Sequence, residues 1–146
     1  MKTLKKIDPK IAKQFKRTQL NGGELLLSVR GSVGLISIAG ASLKGSNVTR
    51  GIVPIWFDNQ NHLFFYYLYM NSAIQNEVKA LAKGATLIQI NLSDLRALNL
   101  ITPPLELQNQ FAEKIKNIEA QKALVKQQAQ QSEDLFQALL QESFNF

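Results

Sequence analysis

From Leu105 to Glu142 the sequence contains no glycine and no proline. Ala, Gln, Glu, Lys and Leu dominate this stretch, and all are good helix formers. At a rise of about 1.5 Å per residue, its roughly 38 residues predict one continuous helix about 57 Å long. Phe111, Ile115, Ile118, Val125, Ala129, Phe136 and Leu139 recur at steps of three, four or seven. That spacing makes a narrow apolar seam of the coiled-coil kind, interrupted by Gln121, Gln128 and Ser132. A small domain cannot cover so long a helix, so the seam is expected to take a partner.

The remaining sequence reads as alternating short strands and helices. Asp8 and Pro9 form an N-cap and first-turn pair, predicting a short helix from Pro9 to Arg17. Asn21-Gly22-Gly23 is a turn. Glu24–Arg30 and Leu35–Ala39 read as strands around Gly31 and Gly34, where positive φ or close backbone approach is expected. Gly40–Arg50 is loop-like, and Gly51–Phe57 is a third strand. His62–Met70 is an aromatic-rich helix. It continues over Ser72–Lys83, where Ile74, Val78 and Leu81 share one face and Gly84 supplies the stop. Thr86–Ile90 is a strand, Ser93–Leu95 a single helical turn, and Ala97–Ile101 a last strand before Pro103-Pro104. The expected fold class is α+β: a small mixed β-sheet with short helices over residues 1–103, then a long coiled-coil-like helix over 104–146. Residues 1–19 form a basic N-terminal segment.

Charge is uneven along the 146 residues. Residues 1–50 hold Lys2, Lys5, Lys6, Lys10, Lys13, Lys16, Arg17, Arg30, Lys44 and Arg50 against Asp8 and Glu24, an excess of +8. The middle third is balanced and the last third is slightly acidic. A polyanion would therefore meet the N-terminal third. A solubilising terminus explains the same charge almost as well.

Catalytic chemistry finds no foothold. There is no cysteine and one histidine, so thiolate chemistry and a multi-histidine metal site are excluded. Gly31-x-x-Gly34 lacks the Gly-Lys-Ser/Thr of a phosphate-binding loop. His62, beside aromatics at a helix start, reads as a structural histidine. Asp58 and Asp94 read as turn or cap residues, and Glu113 and Glu119 as the solvated face of the long helix. No methyltransferase-type Asn-Pro-Pro-Tyr motif occurs. The chain is expected not to be an enzyme and to carry no cofactor or metal. Without a signal peptide or a long apolar run, it is expected to be cytoplasmic, with no membrane partner.

Four segments resemble the DNA-specificity subunits of type I restriction–modification systems. Leu20–Gly34, LNGGELLLSVRGSVG, resembles the family's strand and Gly-Ser-x-Gly turn, with Glu24 where aspartate is usual. Phe64–Thr86 resembles its aromatic helix, following helix and glycine loop. Ile88–Ile115 resembles its strand, turn and Pro-Pro-Leu entry to the spacer helix, with Leu107-Gln108 in place of Glu-Gln. Glu133–Phe146 resembles the end of that helix. The match runs over about residues 20–146, in the family's order. It lacks the family's opening strand segment, so the resemblance implies the C-terminal part of one target-recognition domain plus one spacer helix.

That resemblance implies a non-catalytic subunit that reads one half of a split double-stranded DNA site. Methyltransferase and restriction subunits would be its partners, and S-adenosylmethionine would belong to the methyltransferase. The contact candidates are Lys16, Arg17, Arg30, Lys44, Asn47, Thr49, Arg50, Lys83, Thr86 and Gln89. Lys44–Arg50 is the best single stretch, although a mobile surface loop has the same composition. Lys83 also reads as a plain cation at a helix C-terminus. Phe64, Phe65, Tyr66, Tyr67 and Tyr69 suit base stacking, but their density on one helix favours core packing. Phe111, Ile115, Ile118, Val125, Phe136 and Leu139 are the expected helix interface. In the family the partner helix belongs to the same subunit; here a second copy in a homodimer would replace it. The alternative is a helical dimerisation module without a DNA role, or an inactive truncated fragment.

Overall fold

The computed structural model describes residues 7–84 and 86–144; the side chains of Pro9 and Lys13 are left undescribed. Lys2, Lys5 and Lys6, counted above in the basic segment, and Asn145 and Phe146, the end of the last motif, lie outside the described residues. Two compact units divide the chain, Met1–Leu105 and Glu106–Phe146.

In the first unit, α1 spans Pro9–Gln14 and is capped as its sequence dictates: Asp8 Oδ1 accepts from the Lys10 N–H at 2.7 Å. The helix stops three residues short of the expected Arg17. The Phe15 carbonyl is taken instead by the Thr18 N–H, the Thr18 hydroxyl and the Asn47 amide, which tighten Lys16–Thr18 into a 3-10 turn.

A three-stranded sheet follows, with β1 (Leu25–Ser28) between β2 (Ile36–Ile38) and β3 (Ile52–Ile55). Leu25 faces Ile38 and Ile55, while Leu27 faces Ile36 and Val53. Two-residue periodicity sends Leu25, Leu27 and Val29 to the buried face. Pro54 is tolerated because β3 lies at the edge of the sheet. Gly31 and Gly34 turn β1 into β2 with φ of 75° and 86°, as their spacing predicts.

The aromatic segment forms α2 (His62–Tyr69), capped by the Asn61 side chain, and α3 (Ser72–Ala80) follows, capped by Asn71. Phe65 and Tyr69, one turn apart, are buried. The Tyr69 hydroxyl donates to the Gly34 carbonyl at 2.7 Å, and burial pushes its phenol above the usual tyrosine range. Leu27, Val29, Tyr69, Val78 and Ile90 form the core, with Ile74, Leu81, Leu95 and Leu98 packed against it. The aromatics thus serve packing, as their density predicted.

Three local expectations are corrected. The helix expected to reach Lys83 ends at Ala80, and Ala82–Lys83 form β4, which pairs with β5 (Gln89–Ile90). Gly84 therefore does not cap a helix; it turns a hairpin, with φ of 118°. The strand expected over Thr86–Ile90 shrinks to its last two residues because the first three make that turn. Ala97–Ile101 is not a strand. Ala97 closes α4 (Leu92–Arg96) with a helical ψ of −4°, and Leu98 and Leu100 are partly buried without a ladder. Where a mixed sheet was expected, every described ladder is antiparallel. A glycine turn joins β1 to β2, a loop over residues 39–51 joins β2 to β3, and a hairpin turn joins β4 to β5, so among the described residues no parallel crossover forms. The α+β class itself holds.

The second unit consists of α5 beyond its first residue, and the helix runs unbroken from Leu105 to Phe144. Gln108 and Ala112 are its buried residues, and every position from 116 to 144 is exposed. The seam residues Ile118, Val125, Phe136 and Leu139 are between 45% and 63% exposed.

A candidate nucleic-acid interface

Segment 15–20 is laced to loop 44–48. The Leu20 N–H donates to the Ser46 carbonyl and the Gly45 N–H to the Leu20 carbonyl, both at 2.8 Å, and the Val48 N–H donates to the Thr18 carbonyl at 2.9 Å. Asn47 Nδ2 adds bonds to the Phe15 carbonyl at 2.9 Å and the Thr18 hydroxyl at 3.2 Å. The loop is thereby fixed by backbone ties rather than left free. Lys16, Arg17 and Lys44 are exposed on the two tied segments. Asn47, half-buried, serves first as the fastener.

Arg30, Arg50 and Gln89 come together although they lie on three separate stretches of sequence. With Val29, Val53, Ile90 and Leu92 they line a groove of about 170 Å³. No carboxylate is among its lining residues. Arg30 Nη2 donates to Gln89 Oε1 at 3.0 Å. Thr49, next to Arg50, is exposed, and its carbonyl accepts from the Ile52 N–H at 3.0 Å.

Lys83 and Thr86 stand elsewhere. Lys83 Nζ is 2.9 Å from Asp94 Oδ2, and this contact holds the Asp94 carboxyl below the usual carboxylate range. The charge of Lys83 is thus partly answered within the chain, neither as a helix-end cation nor as an open anion site. Thr86 is exposed in the β4–β5 turn. Leu87 and Ile88 beside it, passed over in the sequence, are about half exposed. Their signal is the apolar pair at a hairpin tip between Thr86 and Gln89.

His62 is fully occupied by structure. Its Nδ1 lies 2.7 Å from the Gly23 carbonyl, and its Nε2 accepts from the Phe57 N–H at 3.1 Å. Nε2 also lies 3.2 Å from the Phe57 carbonyl. Trp56 packs edge-on against the ring at 4.2 Å. Among the described residues, no three His, Asp or Glu side chains gather where a metal ion would sit, and no helix is long and apolar enough to cross a membrane. A second cleft of about 410 Å³, unmarked by any sequence motif, is lined mainly by apolar residues, with Trp56 and Arg96 among them.

The chain matches the family model of the type I restriction modification DNA specificity domain over residues 1–133. A putative type I restriction enzyme MjaX specificity subunit of Methanocaldococcus jannaschii is 31% identical over 96 residues, covering 66% of this chain and 22% of that protein. The crystal structure of a type I restriction–modification system S subunit from M. genitalium superimposes with a TM-score of 0.53 and 22% identity. That similarity of fold covers 68% of this chain and 26% of the other. The chain spans about a quarter, or less, of the length of these two relatives.

Proposed function

This chain belongs to the type I restriction–modification DNA specificity domain family, and on that premise we propose that it reads one half of a split double-stranded DNA site and docks methyltransferase subunits. On this reading it catalyses nothing itself. Residues 1–103 act in target recognition, and residues 104–146 act as spacer and docking helix. S-adenosylmethionine chemistry belongs to the methyltransferase, DNA translocation to a restriction subunit, and the complex works in the cytoplasm.

The observation that carries the DNA reading is the groove shared by Arg30, Arg50 and Gln89, which has two guanidinium groups and no carboxylate on its walls. Lys16, Arg17 and Lys44 add exposed cations on the tied segments, suited to phosphate. Duplex binding should weaken steeply with salt, by a log–log slope of about −0.9 per phosphate contacted. Fluorescence anisotropy between low and physiological salt measures it. Charge reversal at Lys44 together with Arg50 should weaken binding and flatten the slope. Binding that ignores salt, or that survives this double reversal unchanged, would refute the assignment.

The second reading, a helical dimerisation module without a DNA role, draws on the exposed seam of α5. It predicts self-association that persists at high salt with no duplex binding at any salt concentration.

A further inference from the structure

Arg30 and Gln89 are cross-strand neighbours. The Ile90 N–H donates to the Val29 carbonyl at 2.9 Å, and the Gly31 N–H donates to the Ile88 carbonyl at 3.1 Å. These bonds flank the Arg30–Gln89 bridge, making it the non-hydrogen-bonded kind of antiparallel pair. Side chains in such a pair share one face and approach most closely. The 3.0 Å bond from Arg30 Nη2 to Gln89 Oε1 then holds an exposed guanidinium in one direction.

That bond also changes what Gln89 can recognise. A free glutamine offers one acceptor and one donor, the match for adenine in the major groove. Here one lone pair of Oε1 is taken by Arg30, so Gln89 keeps its two amide donors and a single acceptor site, and arginine has only donors. The pair therefore presents mainly donors. Guanine, whose N7 and O6 are both acceptors, is the base edge that fits. A phosphate also offers only acceptors. It needs neither a held guanidinium nor an apolar wall, and this groove has one in Val29, Val53, Ile90 and Leu92.

We infer that Arg30, positioned by Gln89, reads the N7 and O6 edge of one guanine in the major groove, with Arg50 across the groove on the neighbouring phosphate. The inference rests on the DNA-reading role proposed above and assigns one base of its target.

The test is selection of bound sequences from a random duplex pool by the full chain, alone and with a methyltransferase subunit. The selected sequence should contain a guanine whose replacement by 7-deazaguanine weakens binding about tenfold, within the range of one bidentate contact. Arg30→Ala and Gln89→Leu should each lose the preference at that position. Arg50→Ala should keep the preference while weakening all sequences alike. Gln89→Glu keeps a partner for Arg30 if the leucine variant does not fold, and its added acceptor should turn the preference away from guanine. A selected sequence unchanged in Arg30→Ala, or uniform weakening by that variant, would overturn the base contact; uniform weakening would reassign Arg30 to phosphate. Binding without sequence preference also overturns it. Absence of duplex binding under both conditions would instead remove the DNA-reading role, and this inference with it.

Discussion

Glu24 is the residue whose chemistry most directly holds the turn before β1. It is buried, and its two oxygens accept from the Asn21 N–H at 2.5 Å and the Gly22 N–H at 2.9 Å. Burial works to raise its pKa, but the backbone hydrogen bonds from Asn21, Glu24 itself and Gly22 together outweigh it, and the carboxyl ends below its ordinary value of 4.5. The stabilisation from this ionised group is therefore present above about pH 4.5 and is lost as pH falls through the lowered folded value. Glu24→Gln keeps the shape but turns one acceptor into a donor. At pH 7 it should cost about 1.5–3 kcal/mol, the range for hydrogen bonds to a charged group. Urea unfolding should show that difference shrinking from pH 4.5 downward and vanishing once the native carboxyl is protonated. A difference that stays constant with pH would mean that shape, rather than charge, matters at this position. Glu24 thus has a structural task that its sequence position alone did not disclose.

Among the elements, legibility followed how locally each is determined. Helix α5 was readable because about 38 consecutive residues lack a breaker, and strand β1 because Leu25, Leu27 and Val29 alternate. The β4–β5 hairpin was not readable. Two-residue strands carry no periodicity, and Ala82–Lys83 become a strand only because Gln89–Ile90 lie beside them. Ala97–Ile101 shows the reverse, since its alternation buries Leu98 and Leu100 without any ladder. The candidate interface divides in the same way. Its charges were visible in the sequence. The tie between Arg30 and Gln89, the fastening role of Asn47 and the answering of Lys83 by Asp94 all join distant segments. Gly84 carries the hairpin's main backbone demand: its φ is 118°, and an added Cβ would collide with the Leu87 carbonyl oxygen. Gly84→Ala should destabilise the first unit by roughly 1–3 kcal/mol, the cost of a strained backbone position. Thermal melting and amide exchange at Ile90 would register it; unchanged stability with slow exchange at Ile90 would show that the turn can adopt another conformation.

For the whole molecule, the exposed seam of α5 predicts pairing with an antiparallel second copy. Stepping by four and three from Phe111 passes Ile115, Ile118, Lys122, Val125, Ala129, Ser132, Phe136 and Leu139. Four of these, Ile118, Val125, Phe136 and Leu139, are at least 45% exposed. Full burial of such a side chain is worth roughly 1.5–3 kcal/mol, so the drive to pair is strong. In a parallel pair in register, Lys122 would face its own copy in the seam, and like charges there are costly. Reversing one helix so that Ile118 lies opposite Ala129 of the partner subunit removes that clash. Lys122 then lies opposite valine, where its stem covers apolar surface while its ammonium reaches water. Phe111 meets Phe136 of the partner subunit, and Glu119 lies beside Lys126 of the partner subunit on both sides of the two-fold axis. Two recognition units related by that axis would read an inverted repeat. Light scattering at tens of micromolar should give a dimer mass, and Ile118→Asp should reduce it to a monomer. Because the chain has no cysteine, single-cysteine variants report orientation cleanly. Ile118→Cys mixed with Ala129→Cys should oxidise to a linked pair, whereas Ala129→Cys alone should not. A monomeric mass for the unmodified chain would refute the dimer, and efficient linking by Ala129→Cys alone would make the helices parallel.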